Sequence, residues 1–464
     1  MTERENSIHS PEHDSSVLFA SFGILWSLAT LFHFAHFDGW SKDIPALMLT
    51  VAATIYLLNP QSLKMFLFFI LAQALSIFTD LPSVTNHWLF SFFVAITILS
   101  AYVSLRLRSN REGCSKEALF DCFAPIIRIE FVILYFFVVF HKLNSDFLAP
   151  ETSCAVSHYL DLARRLPFLP IGEWTSYWAI YGTLAIEGLI LVCLLVPRLR
   201  PVGVLVAGGF HFALGINNFN NFSAMLFAVF PLFIPGAIPE LIRRWRDLVG
   251  RGALSTRWIQ RLGPRLGKLF LILVVIGIAF SDVKSRDAGI AFWNAYGLLY
   301  LFAMVSLIPS LSSWSRSHAG QRFFLPNQAH RILILLPIFL ILNGASPYLG
   351  LKTGTSFSMF SNLRTINGLS NHLFVGAGAQ VFDYQKVYWR ADASGKPFGK
   401  PILHYQVRKL VAQNPNKIEN VRLTQRDGRS LISASALGDP PSYFEKKFFL
   451  FRSLQLGPSV SCSH

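Results

Sequence analysis

The feature that most constrains this chain is the recurrence of apolar runs close to the length of a bilayer-crossing helix. Such a helix needs about 20 predominantly apolar residues, and its backbone must satisfy its own hydrogen bonds in lipid. Runs at 17–37, 44–59, 63–80, 87–105, 121–141, 174–196, 201–216, 222–239, 268–283, 288–308 and 330–343 fit that description. The second, seventh and last are short, which tilt or partial insertion accommodates. Charged residues make up 14% of the chain, where a soluble domain carries about 25%. The expected fold is therefore an all-α polytopic membrane bundle of about eleven transmembrane helices.

Loop charge sets the orientation. Arg106, Arg108, Arg111 and Lys116 follow the fourth run, and Arg198 and Arg200 follow the sixth. Arg243, Arg244, Arg246, Arg251, Arg257, Arg261, Arg265 and Lys268 follow the eighth, and Arg316 and Arg322 precede the last. Counting from a cytoplasmic N-terminus puts all four groups inside, as the positive-inside rule requires. The net charge of +15 thus reads as a membrane address and not as a nucleic-acid footprint. The polar residues 1–16 form a cytoplasmic tail with no signal-peptide cleavage pattern, and 17–240 form the membrane core. Residues 241–267 are a basic interfacial segment facing anionic lipid, and 268–343 hold further helices. Residues 344–464 form a small β-rich extracytoplasmic domain, where alternation such as VYWRADASGKPFGKPILHYQVRKL and the turn formers Ser394-Gly395 and Asp427-Gly428 suggest strands and hairpins. The five cysteines show no metal-ligand spacing, so no metal is expected. At most Cys154 pairs with Cys462 on the outer side.

Ionisable groups in a span are costly, and each is a functional candidate with a structural alternative. They are His33, His36, Asp80, His87, Arg128, Glu130, His141, Lys142, Glu187 and His211. The topology collects Asp80, His87, His141, Lys142 and Asp146 at the outer surface, with His211 in a run directed to the same side. Packing at the interface accounts for His33 and His36, and a protonated carboxyl or an Arg128 pair accounts for Glu130 and Glu187. Lys142 follows the aromatic run FVILYFFVVFH. It is either a snorkelling cation or a desolvated amine whose lowered pKa lets it act as a base; pairing with Asp146 would oppose the second. TDLPSVTNHW (79–88) reads as a capped interfacial turn or as a site bracketed by Asp80 and His87. GFHFALGINNFNNFSAMLF (209–227) reads as a polar loop or as the wall of an amide-lined cavity.

The stretch YFFVVFHKLNSDFL resembles the catalytic-lysine segment of the vitamin K-dependent γ-glutamyl carboxylases and of the wider HTTM (horizontally transferred transmembrane) bacterial relatives. In that pattern an aromatic helix leads into Lys-Leu-Asx-x-Asp-aromatic, matched here by Lys142, Leu143, Asn144, Asp146 and Phe147. The carboxylases carry a second lysine where this chain has His141. The turn with Asp80, Asn86 and His87 is similar to the family's turn, although Val84 stands where a tryptophan is usual. The 209–227 stretch is similar to a later histidine-and-asparagine segment. The resemblance covers about residues 15–240. It implies Lys142 as base, His87 and Asp80 in support, and His211, Asn218, His141 and Asp146 around a quinone or substrate. It also implies a reduced, vitamin K-like quinone as cofactor, a peptide or small substrate at the outer face, and a bacterial inner membrane. Deprotonated by Lys142, that quinol would react with oxygen to give an epoxide and a strong base, with carbon dioxide as an acceptor for the resulting carbanion.

Residues 344–464 are too few to replace the large lumenal portion of the carboxylases. PYLGLKTGTSFSMFSNLRTINGLSNHLF (347–374) is similar to a stretch in some bacterial members, with no chemistry attached to it. The alternative is a non-catalytic assembly or structural subunit that keeps the fold. A transporter is less favoured, because no span shows paired broken helices or a chain of acids.

Overall fold

The computed structural model describes residues 11–37, 39–108, 114–251, 286–306, 331–392, 396–413, 422–425, 431–433 and 439–454, with Leu273, Phe324 and Cys462. Ten helices run from the N-terminal side: α1 Pro11–Phe37, α2 Ile44–Leu58, α3 Leu63–Asp80, α4 Asn86–Arg108, α5 Lys116–Phe140, α6 Cys154–Arg165, α7 Glu173–Leu195, α8 Arg200–Leu214, α9 Asn220–Val229 and α10 Ala237–Arg251. Then come α11 Arg286–Val305, α12 Leu335–Ala345, α13 His404–Gln413 and α14 Tyr443–Phe448.

Six helical segments among the described residues are long and apolar enough to cross a bilayer, the mark of an integral membrane protein. They number six where about eleven were expected. Three shorter apolar helices, Ile44–Leu58, Ala291–Val305 and Ile332–Ala345, match further runs. The run at 268–283 lies outside the described residues, as do most of the 241–267 segment, the tail up to residue 10, Arg316, Arg322 and the turns at 394–395 and 427–428.

The sixth segment, Pro197–Phe233, is not straight. The His211 and Phe230 rings lie 5.9 Å apart, whereas 19 residues of straight helix would separate them by about 28 Å. The chain turns back at Asn217 and Asn218, which leave helical geometry, Asn218 with φ 72°. This is the break expected between the seventh and eighth runs.

The described chain divides into two compact units. The first comprises Met1–Thr79, Phe90–Tyr135 and Ala185–Ile338. Its helices are joined by aromatic packing and by buried polar bonds of the kind that tie membrane helices together. The Trp26 indole donates to Gln73 Oε1 (2.8 Å), and Gln73 Nε2 donates to Thr30 Oγ1 (3.1 Å). Arg128 Nε donates to the Leu232 carbonyl (2.7 Å), and Thr97 Oγ1 donates to Glu130 (2.5 Å). Phe227 stacks on Tyr300 at 4.1 Å, and the Trp293 indole donates to the Phe212 carbonyl (3.1 Å). Gly215 permits that packing, since a Cβ there would lie inside the Trp293 ring.

The second unit comprises Asp80–Leu89, Phe136–Leu184 and Phe339–His464. Phe147, Ala155, Val156, Ala179 and Ile180 form one core cluster. Four antiparallel strands, β1 Val387–Ala391, β2 Pro397–Leu403, β3 Arg422–Thr424 and β4 Leu431–Ser433, lie in the order β2-β1-β3-β4. The sheet packs Tyr388 and Leu423 against Val407 of α13. The HYQVRKL end of the alternating stretch is thus helix, because Val407, Leu410 and Val411 follow the helical i, i+3, i+4 spacing. Ser442 caps α14 reciprocally with Glu445, whose carboxylate also meets Arg408 at 2.8 Å. A disulfide joins Cys154 to Cys462.

Candidate functional site

The second unit brings together five of the residues singled out above: Asp80, His87, His141, Lys142 and Asp146. The local reason is how α5 ends. After Phe140 the backbone makes tightening turns, with Lys142 N–H on the Val139 carbonyl (3.0 Å) and Leu143 N–H on the Phe140 carbonyl (3.1 Å). Asn144 then caps the single turn Ser145–Leu148, its Oδ1 accepting from Phe147 N–H (2.9 Å). The Asn144 amide also donates to the carbonyls of His141 (2.7 Å) and Ser361 (2.5 Å). Leu373 N–H bonds the Leu143 carbonyl (2.9 Å) and Ser145 N–H bonds the Asn371 carbonyl (3.0 Å), so residues 371–373 lie alongside this stretch like a strand.

Lys142 is 5% exposed, and its ammonium lies 6.0 Å from the centre of the Phe147 ring. The chain has therefore not left this lysine in bulk water. His87, 6% exposed, opens α4 and meets Thr85 Oγ1 at 3.2 Å. Asp80 is half-buried at the end of α3. Asp146 is buried and pairs with Arg364 at 3.4 Å.

His141 is fully enclosed, and both of its nitrogens are engaged. A carbonyl can only accept, so Nε2 donates to Ser356 O (3.1 Å) and Nδ1 accepts from the Tyr348 hydroxyl (2.8 Å). Burial pushes its pKa down to about 3, which keeps the ring neutral. His372 is held in the same way, with Nε2 on the Phe140 carbonyl (2.9 Å) and Nδ1 accepting from Phe374 and Val375 N–H (3.1 Å each). Burial lowers its pKa too.

The segment 347–374 wraps this motif, and the motif-based reading assigned it no role. Its turn at 353–358 is fastened next to both leading candidates, by His141 to the Ser356 carbonyl and by Phe357 N–H to Asn86 Oδ1 (2.7 Å). Thr355, Phe357, Phe360, Asn362 and Asn367 all have φ between 52° and 62°. Left-handed backbone is costly for non-glycine residues, and its concentration here marks a segment held in place by its surroundings. Within it, Lys352 is 6% exposed and donates to Thr355 Oγ1 at 3.2 Å. Burial pushes its pKa down to about 7. The available signal was a lysine in a hydroxyl-rich stretch, GLKTGTSFS, that contains no acid.

His211 and Asn218 belong to the first unit. His211 is buried, its Nε2 2.8 Å from the Tyr135 hydroxyl and its ring among Phe210, Phe222 and Phe230. Glu187 is also buried. Asn218 is exposed at the turn, and the buried amides there are Asn217 and Asn221. Comparison of the chain with family models, with curated proteins and with solved structures found no match.

Proposed function

We propose that this chain is a membrane enzyme in which Lys142 serves as a base toward a reduced quinone at the outer rim of the bundle. His87 and Asp80 position the reacting group, and a peptide or small molecule is the final substrate. The observation that carries this reading is the burial of Lys142 beside an aromatic ring, in the same compact unit as a buried His87. An enclosed amine and imidazole among aromatic side chains suit a flat apolar ring that carries two oxygens. A quinol bound there supplies the reducing equivalents that activate oxygen. The chain's own part is to exclude water, to take a proton at Lys142 Nζ, and to hold the neighbouring backbone through His141 and Asn144. The resemblance of the lysine segment to the vitamin K-dependent carboxylases supports the same assignment. The Cys154–Cys462 disulfide supports an oxidising compartment for the second unit.

The test pairs two measurements on purified protein. Lipid extraction and mass spectrometry should recover a quinone, and Lys142→Ala should abolish quinone epoxide formation. Epoxide output equal to wild type in the variant would overturn the proposal. A second reading, a non-catalytic subunit, is favoured by one observation: His141, Asn144 and Asp146 all hold the 356–373 segment and its Arg364 in place. Retention of the fold with no quinone and no turnover would select it.

A further inference from the structure

We propose that Lys352 and the turn that holds it form a binding site for a small carboxylate monoanion, independent of any quinone chemistry. The starting point is an imbalance of charge. Lysine is almost never buried without a partner, yet Lys352 is as enclosed as Lys142 and makes a single hydrogen bond among the described residues, to a neutral hydroxyl. Thr355 sends its own hydroxyl proton to the Gly354 carbonyl (2.8 Å), which leaves its oxygen as an acceptor for the amine. An ammonium has three donors, so two are available to an oxyanion.

No acid compensates nearby among the described residues. The titratable groups on the segments holding this turn are His141, Lys142 and Tyr348, His87 beside Asn86, and Arg452. Arg452 donates through its backbone N–H to Thr353 Oγ1 (2.9 Å) and through Nη2 to the Ser358 carbonyl. It forms no ion pair among the described residues and adds a second positive charge to the same turn. Hydroxyls line the rest, with Thr353, Ser356, Ser358 and Ser361 all buried. The left-handed residues at 355 and 357 fix this array in place. The hydroxyl protons of Ser356, Ser358 and Ser361 are taken up within the turn, by the Thr353 and Ser358 carbonyls, while the Thr353 hydroxyl, which accepts from Arg452 N–H, keeps its own proton to donate. A compact ammonium with that one hydroxyl donor matches the two oxygens and single charge of a carboxylate. A phosphate dianion would demand more positive charge at one point than this turn concentrates.

The site carries a built-in pH signature. Burial brings the empty Lys352 to about pH 7, and an anion favours the protonated form, so binding takes up a proton above pH 7. Affinity should fall roughly tenfold per pH unit above that point. Among the neighbours, His141 and His372 are pushed down, Tyr348 is pushed up, and Arg452 is lowered to about 10, so none of these four titrates there; the Lys352→Met variant separates the response of Lys352 from any of His87.

The experiment follows thermal unfolding of the full-length protein in detergent with acetate as the probe, against chloride at equal ionic strength. Acetate should raise the midpoint saturably at pH 7, and the half-maximal concentration should be roughly 50-fold higher at pH 9. Lys352→Met should remove the acetate-specific shift. If that variant does not fold, the pH dependence in the wild type still decides. An acetate effect no larger than that of chloride would overturn the proposal. So would one independent of pH, one retained in Lys352→Met, or stronger competition by inorganic phosphate.

Discussion

At the residue scale, the acid sensitivity of the second unit should trace to His141. Its folded pKa is depressed to about 3, below an unfolded value of about 6.5. A histidine held neutral contributes stability that is complete above the unfolded value and is lost as pH falls towards the folded one. At pH 5 the loss amounts to about 2 kcal/mol, before carboxylates begin to titrate. Thermal unfolding of wild type should therefore weaken between pH 6.5 and 5 (about the unfolded histidine value downward). His141→Phe should be less stable at neutral pH but flatter across that interval. A variant with the wild-type slope would move the acid response elsewhere. The candidacy of Lys142 and His87 was legible in the sequence, but Lys142 stayed open there between a snorkelling cation and a desolvated amine, and the structure encloses both side chains. Lys352 was not legible as a buried group: a lysine among hydroxyls reads as exposed loop, and the turn that follows it is fastened from more than 200 positions away in the chain, Ser356 by His141 and Phe357 by Asn86.

At the element scale, the break in Pro197–Phe233 was legible as an asparagine cluster between two apolar runs, and the structure realises it as a reversal. What the cluster could not reveal is which amide turns and which is buried. Asn218 takes the left-handed conformation at φ 72°, where asparagine and glycine are tolerated and β-branched residues are strained. Asn218→Gly should therefore leave the unfolding midpoint near wild type, while Asn218→Val should lower stability by about 1–2 kcal/mol. Equal stability of the two variants would mean that the turn can relax. The sheet shows the converse limit: alternation located β1 and β2 but ran on into α13, where burial has helical spacing. Short strands and short helices share apolar residues, and tertiary packing decides between them.

At the scale of the whole molecule, the second unit is assembled from three separated pieces of chain. Hydropathy alone divides the chain in order and had no means of pairing residues 371–373 with 143–145, although loop charge, by placing both cysteines outside, did leave Cys154–Cys462 as the possible pair that the structure forms. That disulfide bears on sidedness. Disulfides persist in oxidising compartments, and both cysteines fall in segments that loop charge assigns to the outer face. An alkaline phosphatase fused after His464 should then be active in a bacterial host, and a fusion within the arginine-rich stretch after α10 should be inactive. In intact cells a membrane-impermeant maleimide should label Cys462 only after reduction by an equally impermeant phosphine. Labelling without reduction would mean that the bond is not formed in the cell. An inactive fusion after His464, with the α10 fusion active, would invert the orientation and place Lys142 and His87 at the cytoplasmic face.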